Sequence, residues 1–390
     1  SCYSIGRKLD RLINLAQKFA ASGKVTAVSA FGSGNINDTF LVTVSDGNEP
    51  HFVLQRLNTH VFKQPRLVMQ NMRIFTQHIC DKLQCEVQQS EGRWAVPRVL
   101  LTENFQDHCL APDGTYWRAI SFIDGSKSID MIQDLHHGRE VGYALGRFHD
   151  LISDLDPDRL ADTLPGFHIT PQYLQYYDEV LLTHPVAVDN SLVAEAEATP
   201  TERLHQQIDY CLKFVEHRQE WAKVLEKAKD AGKLPLRPIH GDPKVNNVMI
   251  CNTTQQAIGM IDLDTVKPGL VHYDIGDCLR SGCNPLGEET KEWEQVQFDP
   301  HMCRAMLEGY LPQAKGFLTE DDYEYLFDGI RLLAFELGLR FFTDYLAGNV
   351  YFNKVKYPTH NLDRALVQFK LTESIEAQES VIRQMIEDLR

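Results

Sequence analysis

Strand-like and helix-like segments are separated along this sequence, and that separation constrains the fold more than any other feature. Beginning at Val25, three runs resemble strands, namely KVTAVSAF, TFLVTV and HFVLQRL, and glycine-containing or polar turns join them. After Gly125 strand-like segments are rare, and segments with the periodicity of an amphipathic helix, such as REVGYALGRFHDLI, predominate. This order indicates an α+β fold, with a small antiparallel sheet first and a larger, mainly helical part after it.

The length indicates two lobes. The chain has 390 residues, whereas a single hydrophobic core usually stops growing near ~250 residues. The change from strands to helices predicts a boundary near Asp124 and Gly125, and therefore lobes 1–124 and 125–390. In the first lobe we expect a helix over about 65–83 and two more strands in WAVPRVLLT and YWRAISFI. In the second, only NVMICN and AIGMIDL resemble strands.

The net charge argues against two classes of partner. Lys and Arg number 39 against 54 Asp and Glu, which gives −15, and such a surface repels nucleic acid and anionic lipid. We therefore expect no nucleic acid and no membrane partner. The nine cysteines are scattered singly, and the N-terminal segment is predicted to be a packing helix rather than a signal peptide. A cytoplasmic location is expected.

The strongest chemical signal is the segment IHGDPKVNN. His240, Asp242 and Asn247 stand there in the spacing H-x-D-x-x-x-x-N, which is typical of the catalytic loop of kinase-type phosphotransferases. In that loop an Asp accepts the proton of the attacking hydroxyl, and an Asn supplies a neutral oxygen to a magnesium ion. A lone Asp-Pro would indicate only a turn, but the full pattern followed by a strand favours chemistry. Asp242 is the predicted general base.

The second signal is MIDLD, an apolar run that ends in two carboxylates. Asp262 and Asp264 are separated by one residue at a predicted strand end, where both can face one cation. A D-x-D pair alone is more often a solvated turn. Its position after the loop with Asp242 and Asn247 favours a magnesium site with Asn247, Asp262 and Asp264 as ligands.

The third signal is FGSGNINDTF, a glycine-containing turn between two predicted strands. Gly32 and Gly34 have no Cβ, so backbone amides there can approach phosphate oxygens, and Asn37 stands where a third glycine is often found. The same segment could also be ordinary hairpin chemistry. Its place before the other two motifs favours nucleotide binding by Gly32, Gly34 and Asn37.

The strand FVLQRL should carry the cation that binds the nucleotide phosphates. Aligning V-L-Q-R with the kinase pattern V-A-I-K assigns this role to Arg56, although a solvated strand-edge arginine is the alternative. A Glu on the next helix usually pairs with this cation, but residues 60–83 contain none. Asn71 is the polar candidate for that place.

Taken together, these motifs resemble the aminoglycoside phosphotransferase and choline kinase superfamily, and within it the N-acetylhexosamine 1-kinases. The resemblance is carried over nearly the whole chain by HGDPKVNNVM, IDLDTVKPGLVHYDIGDCLRS, VLQRLNTHVF, ELGLRFFTDYLAGNVYF and NLDRALVQFKL. It implies a bilobal protein-kinase-like fold, ATP and Mg²⁺, and phosphorylation of the anomeric hydroxyl of an N-acetylated hexose. The implied partners are ATP and a small hydroxyl-bearing substrate, in particular an amino sugar.

The resemblance also assigns roles to single residues. Asp242 takes the general-base role, and Asn247 and Asp262 take the metal roles. Arg340 and Tyr351 are candidate donors to hydroxyl or acetamido groups of the sugar, although both could be ordinary structural residues. Asp274 and Asp277 in the YDIGD segment are expected to be buried structural acids that tie the catalytic and metal loops together, with Arg280 as a further member.

Two alternatives remain open from the sequence. One keeps the phosphotransferase chemistry and changes the acceptor to an aminoglycoside, choline, homoserine or another small alcohol. The other is a nucleotide-binding pseudokinase, which the missing helix Glu and the Arg at the Lys position suggest. Asp242, Asn247 and Asp262 argue against it, because a mere binder need not keep all three.

Overall fold

A computed structural model describes residues 2–32, 36–86, 93–186 and 198–390. The chain forms two compact units. The first, here called the strand unit, consists of Ser1–Ser128, Leu151–Pro165 and Asn247–Pro268. The second, the helical unit, consists of Ile129–Asp150, Gly166–Asn246 and Gly269–Arg390. Two segments later in the sequence therefore group with the N-terminal part, and the division into 1–124 and 125–390 stays a prediction.

The strand unit is built on an antiparallel sheet. Its strands are β1 (Lys24–Ala30), β2 (Asp38–Ser45), β3 (His51–Leu57), β4 (Val99–Leu100), β5 (Cys109–Leu110) and β6 (Tyr116–Ser121). Their order is β1-β2-β3-β6-β4, with β5 also paired to β6. The first three strands and β6 are confirmed predictions, whereas WAVPRVLLT supplies only the two residues of β4. Pro97 just before β4 lacks the N–H that a longer ladder would need.

Helices cover both faces of this sheet, α1 (Cys2–Gln17) on one and α2 (Pro65–Glu86) on the other. Leu54 packs in a cluster with Ala16 of α1, and Leu57 packs in a second cluster with Met69 of α2. Leu54 and Leu57 point to opposite faces because side chains alternate along a strand. The predicted helix over about 65–83 is confirmed.

A second, smaller sheet in the strand unit carries the metal-ligand candidates. It consists of β7 (Ser126–Ser128), β9 (Val248–Cys251) and β10 (Ala257–Met260), in the order β10-β9-β7. The strands predicted in NVMICN and AIGMIDL are β9 and β10. No local pattern predicts β7, whose residues Ser-Lys-Ser are all polar, or the three-residue strands β8 (Arg237–Ile239) and β11 (Lys267–Gly269).

The remaining helices contribute to the helical unit. They are α3 (Leu135–Ile152), α4 (Thr170–Thr183), α5 (Pro200–Glu216), α6 (Val224–Asp230), α7 (Val271–Gly282), α8 (Pro300–Ala314), α9 (Glu320–Glu324), α10 (Leu326–Ala347), α11 (His360–Ala377) and α12 (Glu379–Leu389). Helix α10 lies in the core, where Phe335, Phe342 and Phe369 of α11 are fully buried.

Local signals set the ends of the α9–α10 segment. The Thr319 hydroxyl accepts the N–H of Asp322 while the Asp322 carboxylate accepts the N–H of Thr319, which is a reciprocal cap. Gly348 ends α10 with a φ of 93°, a conformation that glycine adopts without a Cβ clash. The helical segment that follows Thr319 is interrupted at Tyr325, which separates α9 from α10.

The fold class predicted from the sequence is confirmed, because the structure has a small antiparallel sheet and a larger helical region. Among the residues that the structure describes, no helix is both long enough and apolar enough to cross a lipid bilayer.

Candidate functional site

The predicted general base, Asp242, lies in the loop after β8 in the helical unit. Its backbone N–H donates to His240 Nδ1 at 3.1 Å, and Lys244 Nζ lies 3.6 Å from Asp242 Oδ2. Burial raises the pKa of Asp242, and although Lys244 opposes this, Asp277 adds to it, so the net shift is upward. A carboxylate with a raised pKa is better matched to accepting a proton near neutral pH.

Asp274 on α7 fixes the same loop from within the core. Its carboxylate accepts the backbone N–H groups of His240 at 2.7 Å and Gly241 at 2.8 Å, and it also contacts His149 Nε2 at 2.7 Å. Burial alone would raise the pKa of Asp274, but the hydrogen bond and the charge of His149 outweigh it and lower that pKa. The prediction that Asp274 is a buried structural acid is confirmed for this loop.

The carbonyl side of Gly241 is held by His168, a residue that the sequence did not reveal. His168 Nε2 donates to the Gly241 oxygen at 3.1 Å, and His168 Nδ1 lies 2.7 Å from Glu336 Oε2. Burial would lower the pKa of His168, but the charge of Glu336 outweighs it and raises that pKa, so both ring nitrogens act as donors. Thr170 Oγ1 donates to the other Glu336 oxygen at 2.9 Å.

Asp277 and Arg280 form the other expected structural contact on α7. Arg280 Nε donates to Asp277 Oδ1 at 2.9 Å, and Arg280 Nη1 donates to Glu288 Oε1 at 2.6 Å. Arg280 is buried. This ion pair confirms that Asp277 has a structural partner three residues away on the same helix.

Arg340 and Tyr351, the two residues predicted to bind the sugar, lie close together in the helical unit. The Arg340 guanidinium carbon lies 5.4 Å from the centroid of the Tyr351 ring and 5.0 Å from that of the Tyr173 ring. The rings of Phe167 and Phe352 lie 5.9 and 5.3 Å from the same carbon. Such distances are those of cation–π contacts. Arg340 therefore has aromatic neighbours on several sides.

A continuous set of contacts joins this cluster to the loop of Asp242. The backbone N–H of His168 donates to the Tyr173 hydroxyl at 3.2 Å, and His168 in turn holds Gly241. Asp344 orders the segment that carries Tyr351 by accepting the N–H of Tyr351 at 2.8 Å and that of Phe352 at 2.8 Å. The contact between His168 and Gly241 joins residues 73 positions apart, so no local pattern in the sequence predicts it.

The metal-ligand candidates Asn247 and Asp262 lie at one end of the β9–β10 pair in the strand unit. The N–H of Ile261 donates to the Asn247 carbonyl at 2.8 Å, so the residues that flank the two strand ends are paired. Asp262 is exposed and has a φ of 61°, a left-handed conformation that strains most residues with a Cβ, although Asp adopts it more readily than most. Such strain persists only where the surrounding contacts fix it.

The donor set of Asn247 and Asp262 fits a magnesium ion. An amide oxygen and a carboxylate are hard oxygen ligands, and Mg²⁺ is commonly held by one or two carboxylates while water and substrate phosphates complete its shell. Within the described ranges, no cluster of three or more His, Cys, Asp and Glu side chains could hold a metal ion.

Asp264, the third metal-ligand candidate, is buried and has other partners. Arg118 Nη2 donates to Asp264 Oδ2 at 2.8 Å, Arg118 Nη1 contacts Oδ1, and Asn37 Nδ2 donates to Oδ2 at 2.8 Å. Both carboxylate oxygens are therefore engaged by protein donors. The role of Asp264 as a ligand stays a prediction, while the structure adds Arg118, which the sequence analysis missed.

The nucleotide-binding candidates are distributed over the sheet of the strand unit. Asn37 joins the glycine turn to the segment after β3, because its Oδ1 accepts the N–H of Asn58 at 2.9 Å. Gly32 has a φ of 79° and open space at its Cβ position. Gly34 lies outside the described residues.

Arg56 and Asn71 are not partners of each other. Arg56 is exposed and forms an ion pair with Asp38 on the neighbouring strand. Asn71 is buried, and its amide exchanges two 2.8 Å hydrogen bonds with the backbone of Ala161. The suggestion that Asn71 replaces the helix Glu as partner of Arg56 is therefore wrong, because its amide is committed to another segment.

Comparison with known proteins agrees with these features. A profile of the Phosphotransferase enzyme family matches residues 27–305, more than half of the chain. An aminoglycoside phosphotransferase from Alicyclobacillus acidocaldarius subsp. acidocaldarius DSM 446 is 16% identical, with a TM-score of 0.61 and coverage of 96% of each chain.

Two further solved structures share the fold. Amicoumacin kinase hAmiN, in complex with AMP-PNP, Ca²⁺ and Ami, is 12% identical with a TM-score of 0.53, covering 99% of this chain and 96% of that one. Choline kinase from Cryptosporidium parvum Iowa II is 15% identical with a TM-score of 0.50, covering 92% and 91%. At such identities these likenesses support the fold alone.

The fold and the family profile together define the class of protein: a phosphotransferase with a small antiparallel sheet and a large helical region. The chain belongs to the phosphotransferase enzyme family, whose profile covers both the glycine turn and the loop of Asp242.

Proposed function

We propose that this protein is an ATP- and Mg²⁺-dependent small-molecule kinase that phosphorylates the anomeric hydroxyl of an N-acetylhexosamine. The observation that carries the proposal is the backbone of Gly241, whose N–H donates to Asp274 and whose carbonyl accepts from His168. A loop fixed on both sides orients the Asp242 carboxylate, and orientation is the main contribution a protein makes to phosphoryl transfer.

In the proposed reaction Asp242 accepts the proton of the acceptor hydroxyl. The hydroxyl oxygen forms a bond to the γ-phosphorus of ATP while the bond from that phosphorus to the bridging oxygen of ADP breaks. Bound Mg²⁺ would neutralise charge that develops on the β- and γ-phosphate oxygens. Asn247 and Asp262, with Asp264 as the third candidate, would hold the ion, and the glycine turn with Gly32, Gly34, Asn37 and Arg56 would hold the phosphates.

The acceptor assignment rests on Arg340 and its aromatic neighbours. A guanidinium offers five N–H donors and no acceptor, which suits hydroxyl and acetamido oxygens. Its positive charge disfavours a cationic amine close by. The ring of Tyr351 is 65% exposed and could cover the apolar face of a sugar. A neutral, oxygen-rich acceptor is therefore favoured over an aminoglycoside or choline.

The second candidate keeps the chemistry and changes the acceptor to another small alcohol. The names of the structural neighbours, which include an aminoglycoside phosphotransferase and a choline kinase, motivate it. A pseudokinase is the third candidate, and the exposed position of Arg56 motivates that one.

An acceptor panel separates the three. ADP formation from ATP with Mg²⁺ is measured with N-acetylglucosamine, N-acetylgalactosamine, other hexoses, choline, homoserine and aminoglycosides. Turnover confined to the N-acetylhexosamines, with an acid-labile and alkali-stable product phosphate, supports the proposal. Turnover with another acceptor instead supports the second candidate, and nucleotide binding with no turnover across the panel supports the third.

A further inference from the structure

The most deeply buried charge in the strand unit is that of Arg118 on β6. Its side chain is 1% exposed and that of Asp264 is 2% exposed. Burying two charges costs several kcal/mol per ion unless geometry and hydrogen bonds compensate. Here hydrogen bonds compensate for that cost, because Nη1 and Nη2 of Arg118 each contact one carboxylate oxygen of Asp264.

All five N–H groups of Arg118 have partners within the protein. Nε and Nη2 donate to Gln55 Oε1 at 3.0 and 2.8 Å, Nη1 and Nη2 donate to Asp264, and Nη1 also approaches Met69 Sδ at 3.7 Å. Gln55 lies directly opposite Arg118 in the β3–β6 register. Since a guanidinium has only five donors, none is left over for a phosphate. Arg118 is therefore suited to hold protein groups.

Arg118 binds the carboxylate of Asp264, which lies two residues after Asp262, the exposed candidate metal ligand. On one side of Asp262, the N–H of Ile261 is bonded to the Asn247 carbonyl. On the other side, two residues later, Asp264 is fixed by Arg118 and Asn37. Asp262 keeps its left-handed backbone between these two anchors. Asn37 extends the same network to the segment after β3, because its Oδ1 accepts the N–H of Asn58.

We propose that Arg118 and Asp264 are a positioning pair: the pair fixes the backbone around Asp262 and the Asn37 end of the glycine turn so that a divalent metal and nucleotide phosphates can be held together. This inference rests on the proposed function. It deepens that function by assigning Asp264, together with Arg118 on β6, to orientation of the candidate metal ligand Asp262.

The test measures ADP affinity by isothermal titration calorimetry, with and without Mg²⁺, on the full chain. The variants are Arg118→Met and the double variant Arg118→Met/Asp264→Asn. The double variant leaves no unpaired buried charge and keeps an amide oxygen for Asn37, so it protects the test against loss of folding. Arg218→Met is the matched control, because Arg218 forms its ion pair with Glu376 in the helical unit, whereas the metal-ligand candidates belong to the strand unit.

In the native protein we expect Mg²⁺ to strengthen ADP binding. In both Arg118 variants the gain in ADP affinity that Mg²⁺ produces should fall by about tenfold or more, which is the range observed when outer partners of metal ligands are removed. The ADP affinity measured without Mg²⁺ should stay within about twofold of native. Arg218→Met should bind ADP with the native dependence on Mg²⁺.

Three results would overturn the inference. Native dependence on Mg²⁺ in the folded double variant would make the pair merely structural. A loss of ADP affinity in the absence of Mg²⁺ equal to the loss in its presence would mean that Arg118 serves the phosphates directly. Stronger Mg²⁺ dependence in Arg118→Met would mean that Asp264, once released, is itself a ligand. Failure of the native protein to bind ADP in either condition would instead overturn the proposed function, and this inference with it.

Discussion

His168 donates a hydrogen bond from Nε2 to the carbonyl oxygen of Gly241 across 3.1 Å, and Gly241 immediately precedes Asp242. The other ring nitrogen of His168 faces Glu336. Both side chains are buried. The conformation of the loop that carries the proposed base therefore depends on a buried ion pair that takes no part in the proposed proton and phosphoryl transfers.

The ion pair of His168 and Glu336 should make stability depend on pH. The pKa of His168 is raised in the folded protein, because Glu336, with a further contribution from Asp277, outweighs the effect of burial. A raised pKa adds stability that is complete below the unfolded value of about 6.5 and is lost as the pH rises through the folded value. The unfolding free energy should therefore decrease on the alkaline side.

A double variant tests this dependence directly. His168→Gln/Glu336→Gln removes both members of the ion pair, so the native protein should exceed it in unfolding free energy near pH 6 by more than near pH 9. Urea denaturation at the two pH values gives both differences. A gap that stays constant, or that widens with pH, would contradict the assignment.

The acid limb of the profile of kcat/KM against pH should reflect the protonation of Asp242. Because burial raises the pKa of Asp242, kcat/KM should fall as the pH drops through a value above the ordinary aspartate pKa of about 3.9. Lys244 lowers the pKa of Asp242 from 3.6 Å away. Lys244→Met should therefore move the limb to higher pH, and a shift in the opposite direction would count against Asp242 as the titrating base.

Arg340 should affect the acceptor and leave the nucleotide unaffected. Arg340→Gln removes a charged hydrogen-bond donor, and such bonds contribute about 1.5–3 kcal/mol, so the acceptor KM should rise roughly tenfold to a hundredfold. The KM for ATP should remain within about twofold. Tyr351→Phe keeps the ring beside Arg340 and serves as the milder comparison. Equal increases in both KM values would indicate a structural defect.

The motifs that were predictable from the sequence are those whose residues are close in sequence. Asp242 and Asn247 stand five positions apart, and Asp262 ends an apolar run, so spacing alone indicated their chemistry. The sheet strands β1 to β3 were predictable for a similar reason, since alternation of side chains is a local pattern. The polar strand β7 lacked that pattern.

The contacts that hold the site together could not be predicted in this way. His168 lies 73 positions from Gly241 and 168 positions from Glu336, and Arg118 lies 146 positions from Asp264. Each of these side chains is an ordinary polar residue in its local segment. These side chains meet only in the tertiary structure. Whether a charge can be buried depends on the partner that it contacts in space, and the neighbouring residues in the sequence do not show that partner. Arg56 is exposed in the structure, which a local alignment could not predict, and its role at the phosphates stays a prediction.

Single-turnover ADP formation by native protein and by Asp242→Asn, with saturating ATP, Mg²⁺ and an N-acetylhexosamine, tests the central claim most directly. The substitution keeps the size of the side chain and removes the proton acceptor. We predict that the rate falls by about 10²–10⁴ while ADP affinity, measured in parallel, remains within about twofold of native. A variant that turns over at the native rate would contradict the assignment of Asp242 as general base, and with it this account of the site.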